Sequence, residues 1–329
     1  MSGRYPAMAM LSAESAALSP RVTVIVPVYN ALETLPRALQ GLRKQDYPAS
    51  QWELILVDNG STDGSWEWLQ QAAASGTEGG GPGRMRVVRE ERRGPSAARN
   101  RGAREADPAS EIFLFMDSDC SPHPDWISAM VAAFDAAGPA TWAFGGKLVS
   151  APPSSVAEWF TDRQRILDVE DFYRPHPYKP PFVLTANFGV RRRVFEELVG
   201  PFNESLLVGE DADFCWRLQM AGGRLGLARE AVVEHRHRTS VTRFARQMFI
   251  YGRGSAHIFS LYRDYIGRRV WFDGYSWYAL AKAIAKTILF PILRRNRTAW
   301  LEGPLEVVRH SCFLAGRLTG ALRYRVPVF

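Results

Sequence analysis

Five short apolar runs divide the first part of the chain: Val22 to Val28, Leu54 to Val57, Met85 to Val88, Ile112 to Met116 and Trp142 to Val149. Between them lie segments of helical periodicity at Glu33 to Gln45, Ser65 to Ala74, Ser96 to Ala106 and Trp126 to Ala137. Their starts carry Pro or Asp/Ser signals, as in Gly94-Pro95-Ser96 and Pro124-Asp125. Strand-length runs alternating with helix-length segments predict an α/β fold, a mostly parallel central sheet flanked by helices. A run such as Ile112 to Met116, apolar at every position, suits a strand covered on both faces; a half-exposed strand would alternate. With 329 residues, 46% of them hydrophobic, the chain can bury a sizeable core.

In open α/β sheets the chemistry gathers where parallel strands end. The first run ends in Pro27-Val28-Tyr29-Asn30, and the second in Asp58-Asn59-Gly60-Ser61-Thr62-Asp63-Gly64. Asp58 can accept hydrogen bonds from a base or a ribose, while Gly60 and Gly64 allow a backbone to approach a ligand closely. Turn formation alone explains the same residues, since Asn-Gly and Asp-Gly are common turn formers. Asp117-Ser118-Asp119 closes the fourth run. Two carboxylates one residue apart repel unless a cation or hydrogen bonds compensate, and hard oxygen donors suit Mg²⁺ or Mn²⁺. A polar cap on the strand is the competing explanation.

Further along, Gly94 to Gly102 opens a helix with small residues, and a helix N-terminus beside Arg99 suits a diphosphate or nucleotide. Arg92, Arg93, Arg101 and Arg104 read as a solvated basic face. Gly209-Glu210-Asp211-Ala212-Asp213 puts three acids at a helix start, where the helix dipole accounts for at least one. If this turn faces the metal, one carboxylate becomes a candidate general base. Glu234-His235-Arg236-His237 follows an apolar run, so either histidine can complete a metal site through a neutral imidazole.

Taken in order, Pro27 to Asn30, Asp58 to Gly64, Ala98-Arg99-Asn100, Asp117-Ser118-Asp119, Asn187-Phe188-Gly189 and Glu210-Asp211 resemble glycosyltransferase family 2. Those are inverting enzymes of the GT-A fold that use nucleotide-diphosphate sugars, and the resemblance covers roughly Arg21 to Arg238. It implies that Pro27, Tyr29, Asn30, Asp58, Arg99, Asp117 and Ser118 hold the donor, with UDP as its nucleotide. It also implies Asp119 as the metal ligand, Asp117 as a shared ribose and metal contact, and Asp211 as catalytic base beside Glu210. Related members place a metal-binding histidine about two dozen residues after the base, which favours His235 over His237. Thr185 to Arg192 resembles the stretch that faces the donor sugar and the acceptor. Processive members carry Gln-x-x-Arg-Trp, whereas Gln247 is followed by Met248-Phe249-Ile250-Tyr251. One sugar added per encounter is therefore expected, by in-line displacement onto a hydroxyl acceptor such as a lipid-linked glycan or polysaccharide precursor. Two alternatives stay open: a polyprenyl-phosphate glycosyltransferase, whose acceptor needs no base, and a non-catalytic nucleotide- or membrane-binding relative.

Other classes fit less well. Pro27 to Asn30 lacks the Gly-x-Gly-x-x-Gly turn of a dehydrogenase and the Gly-rich basic loop of a nucleotidyltransferase. The net charge of +7 invites a polyanion, but the arginines are dispersed and no zinc-finger, basic-zipper or RNA-platform pattern accompanies them, so no nucleic-acid partner is expected. Cys120, Cys215 and Cys312 are far apart and lack metal-ligand spacing, which suggests a reducing compartment, the cytoplasm.

The domain reading is a flexible leader over 1–20, a catalytic domain over 21–240 and a C-terminal helical region over 241–329. The Gly-rich Ser75 to Gly83 reads as a flexible loop, and the Pro- and aromatic-rich stretch after Ser150, including Arg174 to Pro181, as a structureless substrate-facing one. Helices are expected over Arg192 to Val199, Asp211 to Ala221 and Val241 to Tyr262, with apolar runs at Leu225 to Ala228 and Ala231 to Val233. In the tail, Trp277, Leu280, Ile284 and Ile288 share a helix face, Lys282 and Lys286 share another, and Arg294, Arg295 and Arg297 flank them. That pattern suits a helix lying on the anionic cytoplasmic face of a membrane. A second helix, Leu305 to Arg323, follows; a cover for the catalytic domain or a homodimer contact is the competing use of both.

Overall fold

The protein is described here by a computed structural model covering residues 21–74, 81–174, 180–266, 274–293 and 297–326. The leader at 1–20, most of the loop 75–83, the middle of 174–181 and the pair Arg294-Arg295 lie outside the described residues.

Eight strands form one sheet: β1 (Val22–Val28), β2 (Trp52–Asp58), β3 (Arg84–Arg89), β4 (Ile112–Met116), β5 (Cys120–Pro122), β6 (Thr141–Ser150), β7 (Asn187–Arg191) and β8 (Arg224–His235). Their spatial order is β3-β2-β1-β4-β7-β6-β8-β5. Strands β3, β2, β1 and β4 run parallel, as their apolar runs predict. Beyond β4 the pattern changes: β7 pairs antiparallel with both β4 and β6, β6 and β8 are parallel, and β5 is antiparallel to β8. The sheet is thus mixed, with every pairing parallel in its first half and both senses in its second. The runs at Leu225 and Ala231 are one strand, β8, broken in register against β6 at Gly146/Lys147.

Ten described helices accompany the sheet: α1 (Leu35–Arg43), α2 (Ser65–Ala74), α3 (Pro95–Glu105), α4 (Trp126–Ala136), α5 (Val156–Arg163), α6 (Val169–Tyr173), α7 (Glu210–Met220), α8 (Val241–Ile266), α9 (Gly274–Leu293) and α10 (Arg297–Tyr324). The helix expected over Arg192 to Val199 is a single π turn, Val194–Leu198. The stretch after Ser150 holds α5, started by a cap: Ser155 Oγ accepts the Glu158 N–H at 3.2 Å, and Glu158 accepts the Ser154 N–H at 2.8 Å.

Strand β4 explains the two-layer core. Ile112, Leu114 and Met116 enter one apolar cluster with Val22, Val24, Trp126 and Met130. Phe113 and Phe115 point the other way, into a cluster with Phe188, Phe195, Phe202 and Phe214. Alternating side chains fill both faces, so the strand must be apolar throughout.

Buried Asn187 fixes the second half of the sheet. Its Oδ1 accepts the Trp126 indole N–H at 2.8 Å, and its Nδ2 donates to the Ala231 and Lys147 carbonyls at 2.8 and 3.0 Å. Gly146 is required beside it, because a Cβ there would collide with the Asn187 amide.

The C-terminal helices pack on one another through α8 and α10. Phe244 and Met248 meet Leu305, and Ala256 and Phe259 meet Ala321 and Val326. Gly252 and Gly316 let the two backbones approach where a Cβ would strike the opposite carbonyl. Helix α9 is turned inside out. Its small residues Ser276 and Ala283 are buried, whereas Tyr275 (77% exposed), Tyr278 (64%), Trp277, Ile284 and Ile288 face outward. Lys286, expected on an outer polar face with Lys282, instead points into the α9–α10 seam, donating to Glu302 at 2.9 Å and Glu306 at 2.7 Å. Among the described residues, no helix is long and apolar enough to cross a membrane.

Replacing Asn187 with Leu removes three hydrogen bonds and leaves two carbonyls and an indole N–H buried without partners. Each such group costs about 1–3 kcal/mol, so a loss of at least about 3 kcal/mol is expected in urea unfolding. A drop below about 1 kcal/mol would show that Asn187 does not brace the sheet.

Candidate active site

The ends of β1, β2 and β4 lie on one edge of the sheet, and their turns are stitched together. Asn30, in a left-handed conformation with φ 49°, accepts the Thr62 N–H on its Oδ1 at 2.8 Å. Its own N–H donates to Ser61 Oγ at 3.0 Å. Pro27 is half-buried at the end of β1, and exposed Tyr29 follows, its hydroxyl accepting from Arg93 at 3.2 Å. Asp58 is fully buried, accepting the Gly60 N–H at 3.2 Å and the Ser61 N–H at 3.4 Å, with Arg89 at 3.7 Å. Asn59 holds the approach to α3, donating to the Glu90 and Arg92 carbonyls and accepting the Gly94 N–H.

Arg99, on α3, is 2% exposed. Its Nη2 donates to Asp117 at 2.6 Å and its Nη1 to Glu210 at 2.7 Å. Burial opposes the guanidinium charge, but the two carboxylates outweigh it and hold the pKa above its ordinary value. The sequence reading aims Arg99 at a diphosphate; here both terminal nitrogens are committed to carboxylates. No local spacing links residue 99 to residue 210, so this contact had no signal in the sequence.

The turn before α7 depends on Gly209, whose φ of 91° disfavours any other residue. A side chain there would also meet Ile258 of α8. The three acids that follow separate into different roles. Glu210 is taken by Arg99. Asp213 is buried, accepting from Arg217 at 2.9 Å and from the Tyr262 hydroxyl at 2.8 Å, which makes it a fold residue. Asp211 is half-buried and has no cationic partner within ion-pair distance among the described residues, its Oδ1 accepting the Ala212 N–H at 2.8 Å. Burial first, then the charge of Glu210, pushes its carboxyl up to about 7.

The other half of the site lies at the end of β4 and β8. His235 Nε2 is 3.5 Å from Asp119 Oδ1, and Arg238 is 3.4 Å from Asp119 Oδ2. Cys120 joins them: ligand atoms of Asp119, Cys120 and His235 all lie within 4.8 Å of one another. Burial and the nearby aspartates hold the Cys120 thiol well above its ordinary pKa, so it is a poor ligand beside a carboxylate and an imidazole. A carboxylate with a neutral imidazole fits a divalent ion such as Mn²⁺. Asp117 has one oxygen on Arg99, and Ser118 sits half-buried on the same turn. His237 turns away, its Nε2 2.8 Å from Ser150 Oγ, and burial together with His235 lowers its pKa to about 4.

Helix α8 closes this side. Tyr251 accepts from Gln247 at 2.9 Å, and its ionisation, raised chiefly by burial, also responds to Arg238, Asp211 and Asp119. The sequence reading overlooked both Tyr251 and Arg238; an exposed arginine three residues past a ligand histidine was the available signal. Behind His235 and His237 opens a cavity of about 650 Å³, bordered by Lys147, Asp162, Arg165 and Arg229.

The model of glycosyl transferase family 2 matches residues 23–199, and that of glycosyl transferase family group 2 matches 112–315. Glycosyltransferase AglE of Haloferax volcanii is 30% identical over 246 residues, 74% of this chain and 76% of that protein. A pre-mycofactocin glycosyltransferase of Mycobacterium tuberculosis is 29% identical over 71% of this chain, which spans 47% of that longer protein. Among solved structures, the mannosyltransferase PcManGT from Pyrobaculum calidifontis, in complex with GDP-Man and Mn²⁺, shares the fold at a TM-score of 0.65 and 20% identity, over 94% of this chain and 89% of that one. The chain therefore belongs to glycosyl transferase family 2, as a sugar-transferring enzyme of the α/β GT-A fold with C-terminal helices.

Proposed function

We propose that the protein moves a single sugar, with inversion, from a nucleotide-diphosphate sugar to a hydroxyl of a glycan acceptor. The observation that carries this reading is the pairing of Arg99 with both Asp117 and Glu210, which ties the turn that carries Asp119 to the turn that carries Asp211.

In this reading Pro27, Tyr29, Asn30, Asp58 and Ser118 line the nucleoside side, and Asp117 serves the ribose while anchored by Arg99. A divalent cation, Mg²⁺ or Mn²⁺, held by Asp119 and His235 would supply positive charge at the donor diphosphate. Asp211 takes the proton of the acceptor hydroxyl as the oxygen attacks the anomeric carbon. Arg99 keeps Glu210 and Asp117 fixed instead of touching the diphosphate, and exposed Arg238, now paired with Asp119, is placed to exchange that contact for the diphosphate. A base with a raised pKa favours a hydroxyl acceptor over a phosphate one, which would need no base. UDP-sugars are the first donors to test; the related structure holding GDP-Man makes guanosine donors the competing outcome.

The enzyme is further proposed to work as a peripheral protein on the anionic cytoplasmic face of a membrane, where a lipid-linked acceptor is at hand. The outward half of α9 supports this: aromatic and aliphatic side chains exposed together with Lys282 match an interfacial helix.

Asp211→Asn should lower transfer at least about 10³-fold while leaving nucleotide-sugar affinity within about threefold, as expected when a base acts only in the transition state. For the wild type, the ionised form is the active one, so kcat should fall as pH drops through about 7. Stability moves the opposite way. The folded pKa lies above the unfolded one, so the group's contribution is present below about pH 4 and lost as pH rises through about 7. Asp211→Asn should accordingly be more stable than wild type at pH 8, by about 1 kcal/mol or more, and equal to it at pH 4. Full activity in Asp211→Asn would remove the base assignment.

Asp119→Asn and His235→Ala should each weaken Mn²⁺-dependent nucleotide binding about tenfold or more in calorimetry. Undiminished metal-dependent binding in both would place the ion elsewhere.

Full-length protein should float with vesicles containing phosphatidylglycerol, and Tyr278→Ser with Ile288→Ser should reduce that binding about tenfold. Protein remaining in the soluble fraction at low salt would count against membrane attachment.

A further inference from the structure

A second cavity lies where α8, α10 and the loop before Glu210 and Asp211 meet. It measures about 240 Å³ and is lined by Arg253 and His257 of α8, Arg323 and Tyr324 of α10, and Leu207 and Val208 of the loop. We infer that this cavity is a phosphate-binding site, and that it takes a phosphate group through Arg253, Arg323 and His257.

The charge balance is the main argument. No acidic residue lines the cavity among the described residues, and neither Arg253 nor Arg323 has a carboxylate partner among them. Two arginines on one small cavity whose lining holds no acid leave an excess of positive charge, which an anion with several acceptor oxygens offsets through charge-assisted hydrogen bonds. The walls are also ordered. His257 stacks flat on Tyr324, with ring centroids 4.0 Å apart and 2° between planes. Burial lowers the His257 pKa and the charge of Arg323 lowers it further, so Arg323 acts on the histidine's side of the cavity.

The surroundings favour an amphiphile as carrier of the phosphate. Leu322, beside Arg323, is 83% exposed, and Leu207 and Leu261 are exposed as well. The cavity also shares a wall with the catalytic turn: Val208 packs against the backbone of Gly254, and the next residue, Gly209, against Ile258. An occupant would therefore touch the loop that delivers Glu210 and Asp211.

The test is calorimetry on the full-length protein without metal or nucleotide sugar, so its outcome is independent of the transferase reading. The probes are inorganic phosphate, geranyl phosphate, and phosphatidylcholine vesicles with or without phosphatidylglycerol. Saturable binding is expected, weakened about tenfold or more in Arg253→Gln and in Arg323→Gln and partly restored in Arg323→Lys. Preference for geranyl phosphate over inorganic phosphate identifies a lipid-linked phosphate. Arginine-dependent binding confined to phosphatidylglycerol vesicles identifies a bilayer headgroup, and equal binding of both soluble probes identifies free phosphate; each of these outcomes supports the site. Absence of saturable binding by every probe overturns it, as does binding that survives in the Arg253→Gln, Arg323→Gln double variant with an unchanged Tm.

Discussion

One buried guanidinium joins the two halves of the site. Arg99 brings the end of β4 and the start of α7 together, although Asp117 and Glu210 are far apart in the chain. Removing a charge from water is costly, and the attraction of two carboxylates offsets that cost only while both remain in place. Loss of either partner would leave a buried charge uncompensated, a change typically worth about 3–5 kcal/mol. The ion triad is thus a constraint on geometry: the turn carrying the base cannot drift from the turn carrying Asp119 without breaking it.

Neutral amides complete what the triad begins. Asn59 grips the approach to α3, Asn187 braces β6 and β8, and Asn100 accepts the Phe202 N–H while donating to the Phe202 carbonyl and to Glu204. An asparagine offers two donors and an acceptor without a charge to desolvate, so it can pin irregular backbone inside the protein at low cost. Both Asn59 and Asn100 hold segments that end at the catalytic edge, which lets a loop-built site keep fixed geometry.

What could be read from the sequence follows the same physics. Strands β1, β2 and β4 were legible because burial on both faces forces continuous apolar runs, and the polar turns after them identified the edge of the sheet. Strand β7 was not, because Asn187 and Gly189 interrupt its apolar pattern for reasons lying on other elements: an amide brace and a close approach to Phe134 of α4 and Leu114 of β4. Strand β5, at three residues, is shorter than any periodicity can reveal. Asp119, His235 and, through the family resemblance, Asp211 as base beside Glu210 could be nominated from the sequence, but not the separate partners of Glu210, Asp211 and Asp213. That separation depends on Arg99, Arg217 and Tyr262, partners that only the fold supplies. Lys286 shows the same limit, since helical spacing put it with Lys282 while Glu302 and Glu306 drew it inward.

The charge count around Arg99 sets Asp211 apart from the other acids of the cluster. Asp117, Glu210 and Asp211 share a single buried cation, and its two terminal nitrogens are used by the first two. Asp211 is left with one backbone N–H, a like charge next to it and little water, so its carboxyl is pushed up to about 7, first by burial and then by Glu210. A carboxylate in that state is a stronger base than one stabilised by an arginine, and it is poised near neutral pH, where proton transfer from a hydroxyl is best matched. Arg99 thus fixes the geometry by satisfying Glu210 and Asp117, and because it makes no hydrogen bond to Asp211, its charge lowers that carboxyl's pKa by less than burial and Glu210 raise it.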